Sequence, residues 1–241
     1  MRARSLWLAA ATALLLIPAS ARADKSLARF LPGARRTPAC RYARMTPHSC
    51  LGELRHRHIA YRRVKHAPGV LVPVRLKGKL GGVLYRTDFP AKKRPTVPYE
   101  IFDCRLVLAM DDFSHILRAH DIDEVRIFSG WRPPSKHWPK GKIAKRHPGG
   151  LAVDMRLFKK KSGKELVVLH DFHGRIGNRT CGPKATKPRP TTPEARELHS
   201  IVCEAADQHL FNVILTPDYN KPHHNHFHLE VTHGVKWFIV D

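Results

Sequence analysis

The stretch CRLVLAMDDFSHILRAHDIDEVRIFSGWRPP, residues 104–134, changes its period part-way along. Asp103 stands where a helix N-cap belongs, and Leu106, Met110, Phe113 and Leu117 then recur three or four residues apart, so that one helical face is apolar and turns to a core. His115 falls outside that face and is expected at the surface. From Glu124 the pattern becomes the alternation of a strand, EVRIF, and SGWRPP ends it in a turn by its Gly and Pro content.

Working outward, LAVDMRLF (151–158) reads as the next strand, and NVILT (212–216), HFHLEV (226–231) and VKWFIV (235–240) as three closing strands. Between them, Thr191, Pro193 and Glu194 open a helix by capping-box logic, continued by Leu198, Ile201, Val202 and Ala205 and by residues 208–210. Residues 172–191 form a loop long enough to be a lid or an envelope-facing insertion rather than a connector. Upstream, Val70 to Val74 and Gly82 to Tyr85 read as short strands of a hairpin across KGKLGG, and KKRPTVP (92–98) as a loop. Residues 24–65 are basic, broken by Pro32, Pro38 and Pro47, and without a sustained period, which predicts an irregular arm. The fold class expected is α+β, a mainly antiparallel central sheet flanked by helices. The division expected is residues 1–23, a basic arm with a short hairpin over 24–98, and a folded domain over 99–241.

The first segment carries two arginines, then an apolar run from Leu6 to Pro18, then Ala21-Arg22-Ala23, the pattern of a secretory signal cut after Ala23. The apolar run is short for a bilayer span, and no later stretch reaches the roughly 20 apolar residues that a transmembrane helix needs. Cleavage removes Arg2, Arg4 and Arg22, so Lys plus Arg falls from 43 to 40 against 20 acids, leaving a formal charge of +20. That excess favours anionic partners. With export, the expected partner is peptidoglycan or another anionic envelope polymer, met in the periplasm or outside the cell by a monomer without a transmembrane anchor. No nucleic-acid-binding motif occurs in the sequence, so nucleic acid is not expected as a partner. Cys40, Cys50, Cys104, Cys181 and Cys203 lie in no CxxC arrangement, which points to disulfides rather than a thiolate metal site. The expected pairing is Cys181 with Cys203, while Cys40, Cys50 and Cys104 share one further bridge and one free thiol.

Two segments carry chemistry. HPGGLAVD sets His147 ahead of a strand and Asp154 on it, with the small Ala152 sharing the Asp154 face. HHNHFHLE, residues 223–230, turns His226, His228 and Glu230 to one side of the last histidine-rich strand. His147, Asp154 and one of the two strand histidines could supply the three N and O ligands that catalytic zinc takes, the other histidine standing beside a fourth position. For each pair the plain alternative is a salt bridge or an exposed edge-strand face. One of His223 and His224 is expected to be solvated, and His170, Asp171 and His173 have no later segment to complete a second site.

HPGGLAVD resembles the HxxGxAxD signature, and His223, His226 and His228 resemble the closing HxxHxH pattern, of the zinc peptidases grouped with D-alanyl-D-alanine carboxypeptidases and murein endopeptidases. LTPDYNKPHHNHFHLE (215–230) is similar to bacterial extensin-like C-terminal domain proteins, with the match running in order over residues 100–232. The resemblance implies a zinc-peptidase (hedgehog/DD-peptidase-like) fold with one Zn2+ held by His147, Asp154 and His228. It implies His226 as the base or transition-state stabiliser, with His223 supporting it through a hydrogen bond. Arg132, in a turn similar to SGYR, would meet a substrate carboxylate or oxyanion. The implied activity is that of an exported zinc-dependent peptidase acting on peptidoglycan stem peptides or cross-links. The alternative is a noncatalytic metal-containing wall-binding module, as the similar site of the hedgehog signalling domain suggests. The chain departs from the pattern at Lys145, often serine in the relatives, and at Asn225, where some of those carboxypeptidases carry glutamate; Glu230 does not substitute for it.

Overall fold

The structure, a computed structural model, describes residues 29–30 and 33–241, so the expected signal segment lies outside the described residues. The strands are β1 Arg29–Phe30, β2 Tyr61–Arg63, β3 Pro73–Leu76, β4 Leu84–Arg86, β5 Phe102–Asp103, β6 Ile122–Ser129, β7 Ala152–Lys160, β8 Glu165–Val167, β9 Val213–Leu215, β10 Phe227–Glu230 and β11 Trp237–Val240. The helices are α1 Pro38–Ala43, α2 Pro47–His56, α3 Cys104–Ala119, α4 Val168–Asp171 and α5 Pro193–Asp207. The large sheet runs β1-β11-β9-β10-β7-β6-β4 with β8 added beside β7, and a small sheet runs β2-β3-β5. Every ladder is antiparallel except β11 with β9 and β4 with β6. The fold is therefore α+β with a mainly antiparallel sheet, as the alternation of helix and strand patterns predicts.

Helix α3 is the structural centre. Asp103 caps it by accepting from Arg105 N at 3.0 Å, and Leu106, Met110, Phe113 and Leu117 are all buried while His115 is exposed. It packs against α1, α2, α5 and β6. Asp103 also accepts from Val72 N and pairs with the buried Arg105 guanidinium at 2.7 Å. An unpaired charge there would cost several kcal/mol, so the pair ties the helix start to the small sheet.

The segment expected to be an irregular arm is built differently. It contains α1 and α2, each with proline at its first position after Thr37 or Thr46. Proline is well suited there, since its missing N–H would have had no intrahelical partner. Tyr42, Ala43, Cys50 and Leu54 enter the same apolar cluster as α3. Nor do residues 70–85 form a hairpin. Strand β3 pairs with β2 and β5, whereas β4 pairs in parallel with β6. A bridge between Leu80 and Val83 closes a turn that carries the chain from one sheet to the other. Helix α5 starts one residue later than the capping-box reading: Thr192, not Thr191, accepts from Ala195 N at 3.1 Å. It also ends at Asp207, short of residue 210.

Cys50 is bonded to Cys104 and Cys181 to Cys203, with Cys40 free and buried. The expected Cys181–Cys203 bridge is thus present, and the open choice among the other three resolves with Cys40 left over. The second bridge holds the 172–191 loop to α5. No helix among the described residues is long and apolar enough to cross a membrane.

Candidate metal centre

The pleat of three neighbouring strands builds the site. On β7, Asp154 stands opposite His228 of β10 on one side and Ser129 of β6 on the other. Residues directly opposite share a face of the sheet, so the three side chains project together. Two residues earlier, Ala152 stands opposite Glu230, and its small side chain leaves room for that carboxylate.

His147 enters from a 3-10 turn, His147–Gly149, directly ahead of β7. Gly150 ends the turn at φ 64°, and a Cβ there would come within 2.8 Å of Asp103 N, so the second glycine of HPGG is demanded by both conformation and space. Gly130, after Ser129, lies against Phe102, whose ring would be 2.5 Å from an added Cβ. Its carbonyl accepts from His147 Nδ1 at 2.7 Å.

Hydrogen-bond chemistry then sets which atoms face inward. A carbonyl only accepts, so His147 Nδ1 donates and Nε2 carries the lone pair. His228 Nε2 lies 3.3 Å from Glu230 Oε2. Burial pushes the Glu230 carboxyl up, but hydrogen bonds from His228 and Thr232 outweigh it and hold the group ionised, so His228 Nε2 donates and Nδ1 carries the lone pair. His147 Nε2, His228 Nδ1 and Asp154 Oδ1 meet at 3.2 Å between the nitrogens and 3.0 and 2.9 Å to the oxygen. Three buried acceptors pointed at one another repel unless a cation lies among them. These are the residues whose ligand atoms could hold a metal ion. Tetrahedral ligands about 2 Å from an ion would be about 3.3 Å apart, close to this spacing.

The charges agree. Burial pushes the Asp154 carboxyl up, yet the three imidazoles gathered around it, His147, His226 and His228, pull it far below the usual carboxylate range. Burial lowers the basicity of His147, whereas in His228 the adjacent carboxylates of Asp154 and Glu230 overcome burial and raise it.

Arg132 donates from Nη2 to Asp154 Oδ2 at 2.8 Å, and Ser129 Oγ donates to the same oxygen at 3.2 Å. Both fix the second oxygen and leave Oδ1 for the centre. The Arg132 side chain remains 52% exposed, so its outer face is open to solvent.

His226 lies immediately before β10 rather than on it, buried, with Nε2 3.4 Å from Asp154 Oδ1 and Nδ1 bonded to Asn225 Oδ1 at 2.8 Å. The His223 ring does not bond the His226 ring: His223 Nδ1 meets Asn220 Oδ1 at 2.6 Å, and the two histidines are joined through the backbone, His226 N donating to the His223 carbonyl at 3.4 Å. Its ring packs 5.2 Å from that of His226. Burial, together with the charges of His226 and His228, pushes the His223 imidazole down to about 4, so it is neutral at pH 7. His224 is exposed, which identifies the solvated member of the pair. His170 is exposed and Asp171 is spent accepting from Val167 N, so the candidate second cluster does not assemble.

Sequence reasoning missed Ser129, the Gly130 carbonyl and the part of Glu230 as partner of His228. The first two lie in the SGWR turn from which only Arg132 was read. For Glu230 the signal was its strand spacing from His228.

The family profile for the extensin-like protein C-terminus matches residues 50–239. The chain belongs to the extensin-like protein C-terminus family. Every residue of the centre lies inside the matched extensin-like span, and so does α2 from Cys50 onward, within the segment expected to be an arm. No curated protein and no solved structure matches the chain.

Proposed function

We propose that this extensin-like protein is an exported zinc-dependent peptidase acting on peptidoglycan stem peptides or their cross-links. The observation that carries the reading is the convergence of His147 Nε2, His228 Nδ1 and Asp154 Oδ1, each imidazole held from behind by an acceptor. Outer-shell partners of that kind fix the tautomer and strengthen the donor. The two disulfides suit an oxidising compartment.

When bound there, zinc would supply Lewis acidity, polarising a carbonyl and making water acidic enough to attack near neutral pH. The remaining work falls to the chain. His226, with Nδ1 donating to Asn225, presents the lone pair of Nε2 beside the centre. It would take a proton from the attacking water and return it to the amine as the C–N bond breaks. Arg132 anchors Asp154 and offers its exposed face to a substrate carboxylate. His223, neutral, packs behind His226 without adding charge.

One observation favours a second reading, a noncatalytic metal-containing wall-binding module. Asn225 occupies the position of the glutamate base of some of the resembling carboxypeptidases, and its oxygen is committed to His226. Metal analysis and a digest of cross-linked peptidoglycan separate the two. The peptidase reading expects about one zinc per chain in the wild type, loss of zinc in His147→Ala and His228→Ala, and retained zinc with a loss of cleavage of about 100-fold or more in His226→Ala. Zinc-loaded protein that binds peptidoglycan but never cleaves it would establish the module instead.

A further inference from the structure

At the small sheet, β2 and the loop over residues 92–98 border a cleft of about 540 Å3, and a second of about 300 Å3 shares its lining residues Arg62, Arg75 and Pro95. Arg63, Lys65 and His66 line the larger part and Arg94 the smaller. Arg75 forms the floor at 7% exposure. Its guanidinium donates to the carbonyls of Arg94 and Val97, and Arg62 donates to that of Pro95. Among the described residues, none of Arg62, Arg63, Lys65 and Arg75 has a carboxylate within ion-pair distance. The one carboxylate lining the cleft, Glu100, is engaged by the backbone and hydroxyl of Thr87 and makes only a long ion pair, 3.9 Å, with Arg94 Nε. Arg94 Nε is buried with no hydrogen-bond partner at all.

A buried cation paired only with carbonyls, beside a buried guanidinium N–H that makes no hydrogen bond, is a costly arrangement. It becomes favourable when an anion enters, because guanidinium forks match planar oxyanions. The aromatic residues bordering the two parts, Tyr85, Phe102 and Trp131, are buried, so no exposed ring offers the stacking platform that single-stranded nucleic acid uses. The exposed side chains of the larger part are Arg62, Arg63 and Lys65, with His66, Pro95 and Thr96 and no acid among them. That lining suits a chain with a negative charge on every unit rather than a peptide mixing acids with apolar residues.

We propose that this cleft binds an anionic carbohydrate chain, with carboxylates on successive sugars set against Arg62, Arg63 and Lys65 and against the Arg75 floor. The site rests on neither the metal nor hydrolysis. It gives the excess positive charge of the molecule a defined address, where a diffuse polycation would have none.

The test is calorimetric titration with a galacturonic acid octamer at about 0.05 M salt, where screening is weak. The wild type should bind, with or without chelator. Joint replacement Arg62→Gln, Arg63→Gln and Lys65→Gln should weaken binding by about tenfold or more, whereas Lys184→Gln, Lys187→Gln and Arg189→Gln on the exposed 172–191 loop, which removes the same charge, should weaken it by about twofold or less. Equal weakening in the two triple variants would reduce the effect to net charge and overturn the proposal. So would a wild type that fails to bind, binding that disappears with chelator, or tighter binding of an octathymidylate or octaglutamate through the same three residues.

Discussion

At the scale of the residue, the site is organised by what stands behind each ligand. Glu230 is buried and serves two donors, the His228 ring and the Thr232 hydroxyl at 2.6 Å, while Arg146 approaches to 3.7 Å from the exposed side. Its charge keeps the proton of His228 on Nε2 and the lone pair on Nδ1. Replacement Glu230→Gln preserves shape and removes that charge, so if the centre holds zinc as proposed, its zinc affinity should fall by about 10- to 100-fold with the fold intact. Competition against a chromophoric chelator measures it, and unchanged affinity would mean that the carboxylate is only a surface for Thr232. The three converging side chains were legible in the sequence: His147 and Asp154 sit in one short motif, and period-two alternation places His228, together with His226, on one face, the choice of His228 resting on the resemblance. The partners behind them were not. Ser129 and the Gly130 carbonyl act through contacts with residues 25 and 17 positions away, the second through a backbone atom that side-chain patterns do not describe.

At the scale of the element, helix α3 had the clearest signature and β6 followed from the change of period, so the centre of the fold could be read directly. The short helices α1 and α2 could not. They begin on Thr-Pro as α5 does. With six and ten residues they give too few turns for an apolar stripe to stand out, and proline was taken as a breaker where it occupies the first helical position. Partner choice defeated the hairpin reading, since β4 finds its neighbour in β6, which lies 36 or more residues beyond it. What fixes α2 in place is the bridge from Cys50 to Cys104 at the first turn of α3, closing a loop with a separation of 54 residues. Closing a loop of that length lowers the entropy of the unfolded chain by up to about 4 kcal/mol. The double variant Cys50→Ala and Cys104→Ala should lose about 2–4 kcal/mol in urea unfolding. A loss below about 0.5 kcal/mol would show that packing against Tyr42 and Leu54 suffices without the bond.

At the scale of the whole molecule, stability should follow both metal and pH. If His147, Asp154 and His228 bind zinc only in the folded chain, free metal at about 100 times its dissociation constant adds about 2.7 kcal/mol. In a chain of this size that corresponds to about 5–10 °C in melting temperature, lost on chelation and absent from His147→Ala. The pH dependence has a separate source far from the centre. Asp241, after β11, is bound through its backbone to Ile214 and Thr216 of the β9 region. Burial, and then the charge of Asp218, push its side-chain carboxyl up to about 6 against the opposing pull of Arg179. The folded state thus holds this proton more tightly than the unfolded state does, and between about pH 4 and pH 6 it binds more protons, so stability falls as pH rises through that window. The contribution is fully present below the unfolded value near 3.9 and gone above the folded one. Asp218 is itself tied down by Arg175 N at 2.7 Å and the Thr180 hydroxyl at 2.8 Å, so the repulsion cannot relax by moving it. Asp241→Asn should therefore raise stability at pH 7.5 by on the order of 1 kcal/mol, leave it unchanged at pH 3.5, and flatten the slope between. Urea midpoints at the two pH values measure this, and an equal gain at both would assign the effect to packing rather than to the charge.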